Sequence, residues 1–369
     1  MPAPAPWASV PAVIQRATRR LLGGAAAAVD RAATLAAYAG SRGSRKKSRA
    51  ESLGHRERLV ALEAIAGAYP ADAPGYFREP RRITPSERSV RWSAGGKRVT
   101  DLSWPSDYQP FEPGVAERFD RCAENRVAAA RGFFGATPRP VALLVHGYMA
   151  GHYDLEQRVW PIEWLCRIGL DAVLPVLPFH AVRGPARKLG QPPPFPGSDP
   201  RVSNEGFRQA MGDLGDLVEW LLQRGHPAVG VMGMSLGGYT TSLLATVERR
   251  LAFAIPIIPL ASLADFARDQ GRLGSTPHET ELEHRALEAA HRVVSPLSRP
   301  PRVPGERMLV VAARADRITP PAHARRIAHH FGAPLESWHG GHLLQFGRAE
   351  KFRRIGRLLD DLGLTQRSA

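Results

Sequence analysis

The sequence predicts an α/β fold: a mostly parallel β-sheet flanked by helices, with lid insertions and an N-terminal helical extension. Two patterns carry this prediction. Apolar runs recur at Val141–Val145, Ala172–Leu177, Val229–Met234, Phe253–Ile258 and Met308–Ala312, each too short for a helix and too uniformly apolar for a strand with one wet face. Stretches of helical character separate several of them, at Glu156–Ile168, Phe207–Arg224, Gly238–Arg249 and Pro320–Phe331. Buried strands alternating with amphipathic helices build a parallel sheet covered on both faces.

Upstream of this alternation, a helical period runs over Leu53–Tyr69 and stops at Pro70. Strand-like runs at Ser89–Ala94 and Arg98–Trp104, joined through Gly95-Gly96, read as a hairpin. A helix is expected around Ala116–Ala130, and a last short strand over Leu335–Trp338. Two connections are too long for turns. One is the Pro- and Gly-rich segment 178–206; the other is 260–305, with a helix expected over Thr280–Val294. Both leave the carboxyl ends of strands, where open α/β sheets bind ligands, and so read as lid segments. Their apolar residues, Phe195 and Phe207 among them, suit an apolar acyl group. The organisation expected is a basic, partly helical tail (1–52), a helical connector (53–88) and a main domain (89–364).

The net charge of +15 invites a nucleic-acid or membrane partner. Only five of the 50 basic residues are lysines, an arginine bias with the look of genome composition, and no nucleic-acid-binding module is present. More than half of the excess lies in residues 1–58, which hold 11 basic and 3 acidic side chains. Within it, Val13–Ala39 is helix-permissive and amphipathic, so residues 1–50 offer two readings: a solvated tail, or peripheral contact with a membrane surface. No apolar run reaches the roughly 18 residues of a spanning helix, and no basic n-region precedes an apolar h-region. The expected location is cytoplasmic, and two cysteines, Cys122 and Cys166, fit a reducing compartment.

The strongest chemical signal is Gly233-Met234-Ser235-Leu236-Gly237, directly after one apolar run and before a helix. A G-x-S-x-G between strand and helix puts the serine on a sharp, strained turn with its Oγ clear of the sheet, and the glycines leave room for that turn. Val145-His146-Gly147-Tyr148 closes the first strong strand. Asp316 follows the run Met308–Ala312, with Thr319 placed to cap the next helix and Pro320 to begin it. Trp338-His339-Gly340-Gly341-His342 follows the last strand.

Together these motifs resemble the α/β-hydrolase superfamily over roughly Ser89 to Leu364. The resemblance implies a serine hydrolase with Ser235 as nucleophile, Asp316 as the acid and His342 as the base. His342 is chosen over His339 because the family's histidine usually follows a glycine before the final helix. It also implies an oxyanion hole from the backbone N–H groups of Tyr148 and Leu236. Candidate substrate contacts are His146, at the start of the oxyanion loop, and His180 and Arg183, after the strand Ala172–Leu177. The adjacent His329 and His330 cannot share a helix face as ligands would, and neither H-E-x-x-H nor Cys-x-x-Cys occurs, so no metal is expected. Nor is any cofactor, since no dinucleotide or phosphate-loop pattern occurs. The expected reaction is hydrolysis of a small-molecule carboxylic ester or thioester. The alternatives are a peptidase or amidase of the same fold, or a non-catalytic protein that binds a ligand or a membrane surface. Oligomeric state is not legible.

Overall fold

The computed structural model describes residues 24–31, 53–90, 97–186, 191–344 and 348–366. Nine strands form one sheet in the order β1-β2-β3-β5-β4-β6-β7-β8-β9. These are β1 (Ser86–Ser89), β2 (Arg98–Pro105), β3 (Val127–Phe134), β4 (Val141–Val145), β5 (Asp171–Pro175), β6 (Val229–Met234), β7 (Leu251–Ile257), β8 (Val310–Ala313) and β9 (Leu335–Trp338). The six strands from β5 across to β9 run parallel, and β1, β2 and β3 pair antiparallel at one end. Helices cover both faces over two apolar clusters, one containing Phe207, Leu217 and Tyr239, the other Trp160, Phe253 and Trp338.

β4, β5 and β6 are wholly or almost wholly buried, as their uninterrupted apolar runs require. The chain leaves β4 for β5 on one side and returns to β6 on the other. The reversal falls at β4 and β6, and the carboxyl ends of strands at such a point are the usual ligand position in an open parallel sheet. Val145 pairs with Gly233 there, so the His146-Gly147 loop emerges beside the turn that carries Ser235.

Several elements differ from expectation. The hairpin forms with Ser89 opposite Thr100, its first strand lying earlier than expected, and its Gly95-Gly96 turn falls outside the described residues. The helix expected over Ala116–Ala130 is a short helix (Ala116–Asp120) and a 3₁₀ turn (Ala123–Arg126), followed by β3. Alanine favours helix on its own, but here Ala128 and Ala130 are buried in a strand paired on both edges, and tertiary pairing overrides the local preference. Trp160-Pro161 splits the helix expected over Glu156–Ile168 into Tyr153–Val159 and Ile162–Arg167.

The helix expected from Phe207 begins at Pro200, capped by Asp199, and absorbs the end of the 178–206 segment. Phe195 and Phe207 are fully buried against each other, ring centroids 4.8 Å apart, which spends both on the core rather than on an acyl group. The helix within 260–305 spans Pro277–Ala290, opened by a Thr276/Glu279 capping box.

Most of the amphipathic stretch Val13–Ala39 lies outside the described residues. Its described part, 24–31, is helical, and Ala26 and Asp30 have no solvent exposure. Those two side chains pack against the domain, while Gly24, Ala25, Ala28, Val29 and Arg31 face solvent. Among the described residues no helix is long and apolar enough to cross a membrane. Cys122 and Cys166 are both free and buried.

Candidate active site

Ser235 occupies the turn between β6 and the helix Leu236–Val247 with φ 57° and ψ −115°, a left-handed conformation that costs a non-glycine residue of order 1–3 kcal/mol. Its N–H donates to the carbonyl of Ile257 at 2.9 Å, fixing the turn to the neighbouring strand. Crowding around the turn explains the flanking glycines. A Cβ on Gly233 would stand 2.1 Å from the carbonyl oxygen of Gly237, and one on Gly237 would stand 2.1 Å from that of Val145. Backbone oxygens cannot yield as a flexible side chain would, so only glycine fits.

His342 faces the serine. Its Nε2 lies 2.9 Å from Ser235 Oγ, and its Nδ1 lies 2.8 Å from Asp316 Oδ2. With Nδ1–H donating to the carboxylate, Nε2 is left to accept from the hydroxyl. His339, at the turn after β9, is not the histidine brought to Ser235.

Asp316 is itself held. Its Oδ1 accepts from the N–H groups of Ile318 (2.9 Å) and Thr319 (2.8 Å). Thr319 does not cap a helix as expected; the next one, Pro321–Phe331, has Pro320 at its N-cap. Instead Thr319 Oγ1 stands 3.0 Å from both Asp316 Oδ2 and His342 Nδ1, and 3.1 Å from the carbonyl of Ile258. The hydroxyl bridges the acid, the histidine and the end of β7. The serine, histidine and aspartate of the sequence motifs thus form one hydrogen-bonded chain, and Thr319 joins it.

The Val145–Tyr148 segment runs beside this chain: a Cβ on Gly147 would lie 3.6 Å from Ser235 Cβ. His146, though, points inward. Its Nδ1–H donates to the carbonyl of Gly147 (2.8 Å) and its Nε2 accepts from the N–H of Leu177 (3.0 Å). Burial lowers its pKa to about 4, so it is neutral and shapes the loop from beneath rather than touching substrate. Glu156 holds the far end of this loop, accepting from Gly151 N–H (3.0 Å) and Trp160 Nε1–H (3.1 Å).

Neither His180 nor Arg183 is placed to meet a substrate. His180 is fully buried, its ring among those of His146, Tyr148 and Phe195. Arg183 is 1% exposed; it pairs with Asp213 at 2.7 Å and donates to the carbonyls of Val176 and Asn125. Among the described residues no three His, Cys, Asp or Glu side chains are grouped to hold a metal ion.

One further contact had no sequence signal. The carboxylate of Asp30 reaches the loop of His342, accepting from His342 N–H at 2.7 Å and Leu343 N–H at 3.0 Å, and from Arg317 N–H at 3.2 Å.

No family model matches the chain. It is 33% identical over 301 residues to two uncharacterized Mycobacterium tuberculosis proteins, MT2702 of strain CDC 1551 / Oshkosh and Rv2627c of strain ATCC 25618 / H37Rv, covering 79% of this chain and 70% of each of them. Among solved structures, it is similar to an acetyl xylan esterase from Paenibacillus sp. R4 (TM-score 0.52, 16% identity) and to acetyl xylan esterase 1 from Thermoanaerobacterium sp. JW/SL YS485 (TM-score 0.52, 15% identity). Each likeness covers 81% of this chain and 92% of the other, and at such identities it speaks to the fold.

Proposed function

We propose that this chain, which shares a family with the two mycobacterial proteins and the fold of the acetyl xylan esterases, is an α/β-hydrolase: a serine hydrolase cleaving a carboxylic ester or thioester. One observation carries the reading: Ser235 Oγ, His342 and Asp316 are linked by contacts of 2.9 and 2.8 Å, with the serine on a left-handed turn between strand and helix. A strained serine in line with a buried, oriented imidazole is an arrangement suited to generating an alkoxide-like nucleophile.

In the proposed reaction Ser235 Oγ attacks the carbonyl carbon while its proton passes to His342 Nε2. The oxyanion is met by the N–H groups of Tyr148 and Leu236, the latter at the positive end of the helix Leu236–Val247. Collapse of this intermediate breaks the bond to the alcohol or thiol, which leaves with the proton from His342. Water then attacks the acyl-enzyme, giving a proton to His342, and the second collapse frees the acid and returns that proton to Ser235. Asp316 keeps the imidazole in one tautomer throughout.

An apolar acyl group is supported by the exposed side chains of Tyr148 and Met149 on the loop, and of Leu343 and Leu344 just after His342. Water-facing apolar residues on both segments flanking Ser235 give such a group a surface to cover. The test is steady-state hydrolysis of p-nitrophenyl esters from acetate to octanoate. Turnover that requires Ser235 and improves with chain length supports both parts; turnover retained by Ser235→Ala would refute the nucleophile.

A further inference from the structure

We propose that Asp30 is a positioning residue for this site, a reading that rests on the role proposed above for His342. The chain places Asp30 in the helical segment 24–31, 312 residues before the histidine whose backbone it binds. One fully buried carboxylate accepts from three N–H groups on two loops. Arg317 belongs to the loop after β8 that carries Asp316; His342 and Leu343 belong to the loop after β9. The two loops are thus tied through the His342–Asp316 contact and again through Asp30.

The geometry is specific to this arrangement. Gly341 is what admits the helix: a Cβ there would stand 2.5 Å from Asp30 Oδ2 and 3.1 Å from the carbonyl oxygen of Ala26. His342 is therefore held at its backbone N–H by Asp30 and at Nδ1 by Asp316, two anchors that fix where Nε2 points. A displacement of about 1 Å in such a group can cost on the order of 100-fold in rate. Segment 24–31 is in this reading a structural part of the site. Undocking it strips the backbone N–H groups of His342 and Leu343 of their carboxylate, leaving the loop to the Asp316 and Thr319 contacts of the ring and the Ala315 N–H to Gly340 carbonyl bond.

The experiment uses the full-length chain and its Asp30→Ala, Asp30→Asn and Gly341→Ala variants, with Arg31→Ala, on the exposed side of the same helix, as control. The maximal rate and the half-saturating concentration for labelling by a fluorophosphonate are measured together with amide hydrogen exchange. Asp30→Ala is expected to slow the maximal rate by about 10- to 100-fold with the half-saturating concentration unchanged. Exchange should quicken in peptides covering 316–319 and 339–344. Asp30→Asn, which keeps an acceptor oxygen, should recover part of the rate. Asp30→Ala and Gly341→Ala, acting on one contact from opposite sides, should combine to less than the sum of their separate effects. A rate per folded molecule equal to wild type, or an effect on saturation alone, overturns the proposal. If the wild type takes no label and turns over no short ester, the hydrolase reading fails, and exchange alone decides whether Asp30 holds the loop: faster at 339–344 in Asp30→Ala supports it, unchanged refutes it.

Discussion

Gly237 and Val145 approach so closely that a Cβ on the glycine would stand 2.1 Å from the valine's carbonyl oxygen. This contact locks the turn of Ser235 to the end of β4, where the His146–Tyr148 loop begins, and so sets the serine and the proposed oxyanion donors at one spacing. Gly237→Ala is expected to cost about 1–3 kcal/mol of stability through overpacking and to remove most activity. Gly67→Ala is the contrast. Gly67 lies in the helix His55–Ala68 with nothing near its missing Cβ, so the change should stabilise by about 0.5–1 kcal/mol and leave activity alone. Thermal melts and ester turnover of the two variants check both halves.

Asp316→Asn should leave the fold intact and lower kcat by about 10⁴-fold, because the amide no longer enforces the tautomer with Nδ1–H. Thr319→Val removes the hydroxyl shared by Asp316, His342 and the Ile258 carbonyl but leaves the two backbone N–H donors to Oδ1. Its expected loss is smaller, about 10-fold, equivalent to roughly 1.4 kcal/mol of barrier. Steady-state kinetics that rank the two in the opposite order would contradict the assigned roles.

Burial lowers the pKa of both His146 and His291 to about 4, against an ordinary 6.5. In the unfolded chain these rings take up protons as pH falls below 6.5, while the folded protein resists until about pH 4. The unfolded state therefore binds more protons in that window, and stability falls as the pH drops through it. Denaturant midpoints measured between pH 7 and 4 should decline. His291→Asn, which keeps a side chain able to bond Asn204, should flatten the decline in part.

Arg183 and Asp213 form a buried pair that joins the segment after β5 to the long helix Pro200–Gln223. Removing the arginine alone strands a carboxylate in the interior, so Arg183→Met is expected to cost about 3–5 kcal/mol. The double variant Arg183→Met/Asp213→Leu should recover much of that loss. Unchanged KM in whatever folds would match a residue that holds the core together; a raised KM would return Arg183 to the substrate surface.

The parts of the site legible in the sequence are those whose geometry is local. The turn of Ser235 needs a strand, two glycines and a helix in immediate succession, and all of these are contiguous at Val229–Val247. Asp316 and His342 each follow a short strand, and strand order alone suggests that they reach the same end of the sheet. Asp30 was not legible, because nothing around an aspartate in an Ala-rich basic segment signals a partner 312 residues away. β3 was hidden by alanines whose helical preference yields to pairing on both sides. His180 and Arg183 follow a core strand at a ligand-binding edge, but their chain turns back beneath the surface. Whether a loop side chain faces in or out is set by packing against distant segments, which periodicity does not encode.

The account rests on Ser235 being an activated nucleophile, and the most direct test is intact-mass and peptide-level analysis of the protein after treatment with a fluorophosphonate. A single adduct on the peptide carrying Ser235, abolished in Ser235→Ala and in folded His342→Ala, is the result predicted. A folded wild-type protein that takes up no label yet turns over no short ester, or an adduct on another residue that survives Ser235→Ala, would contradict it.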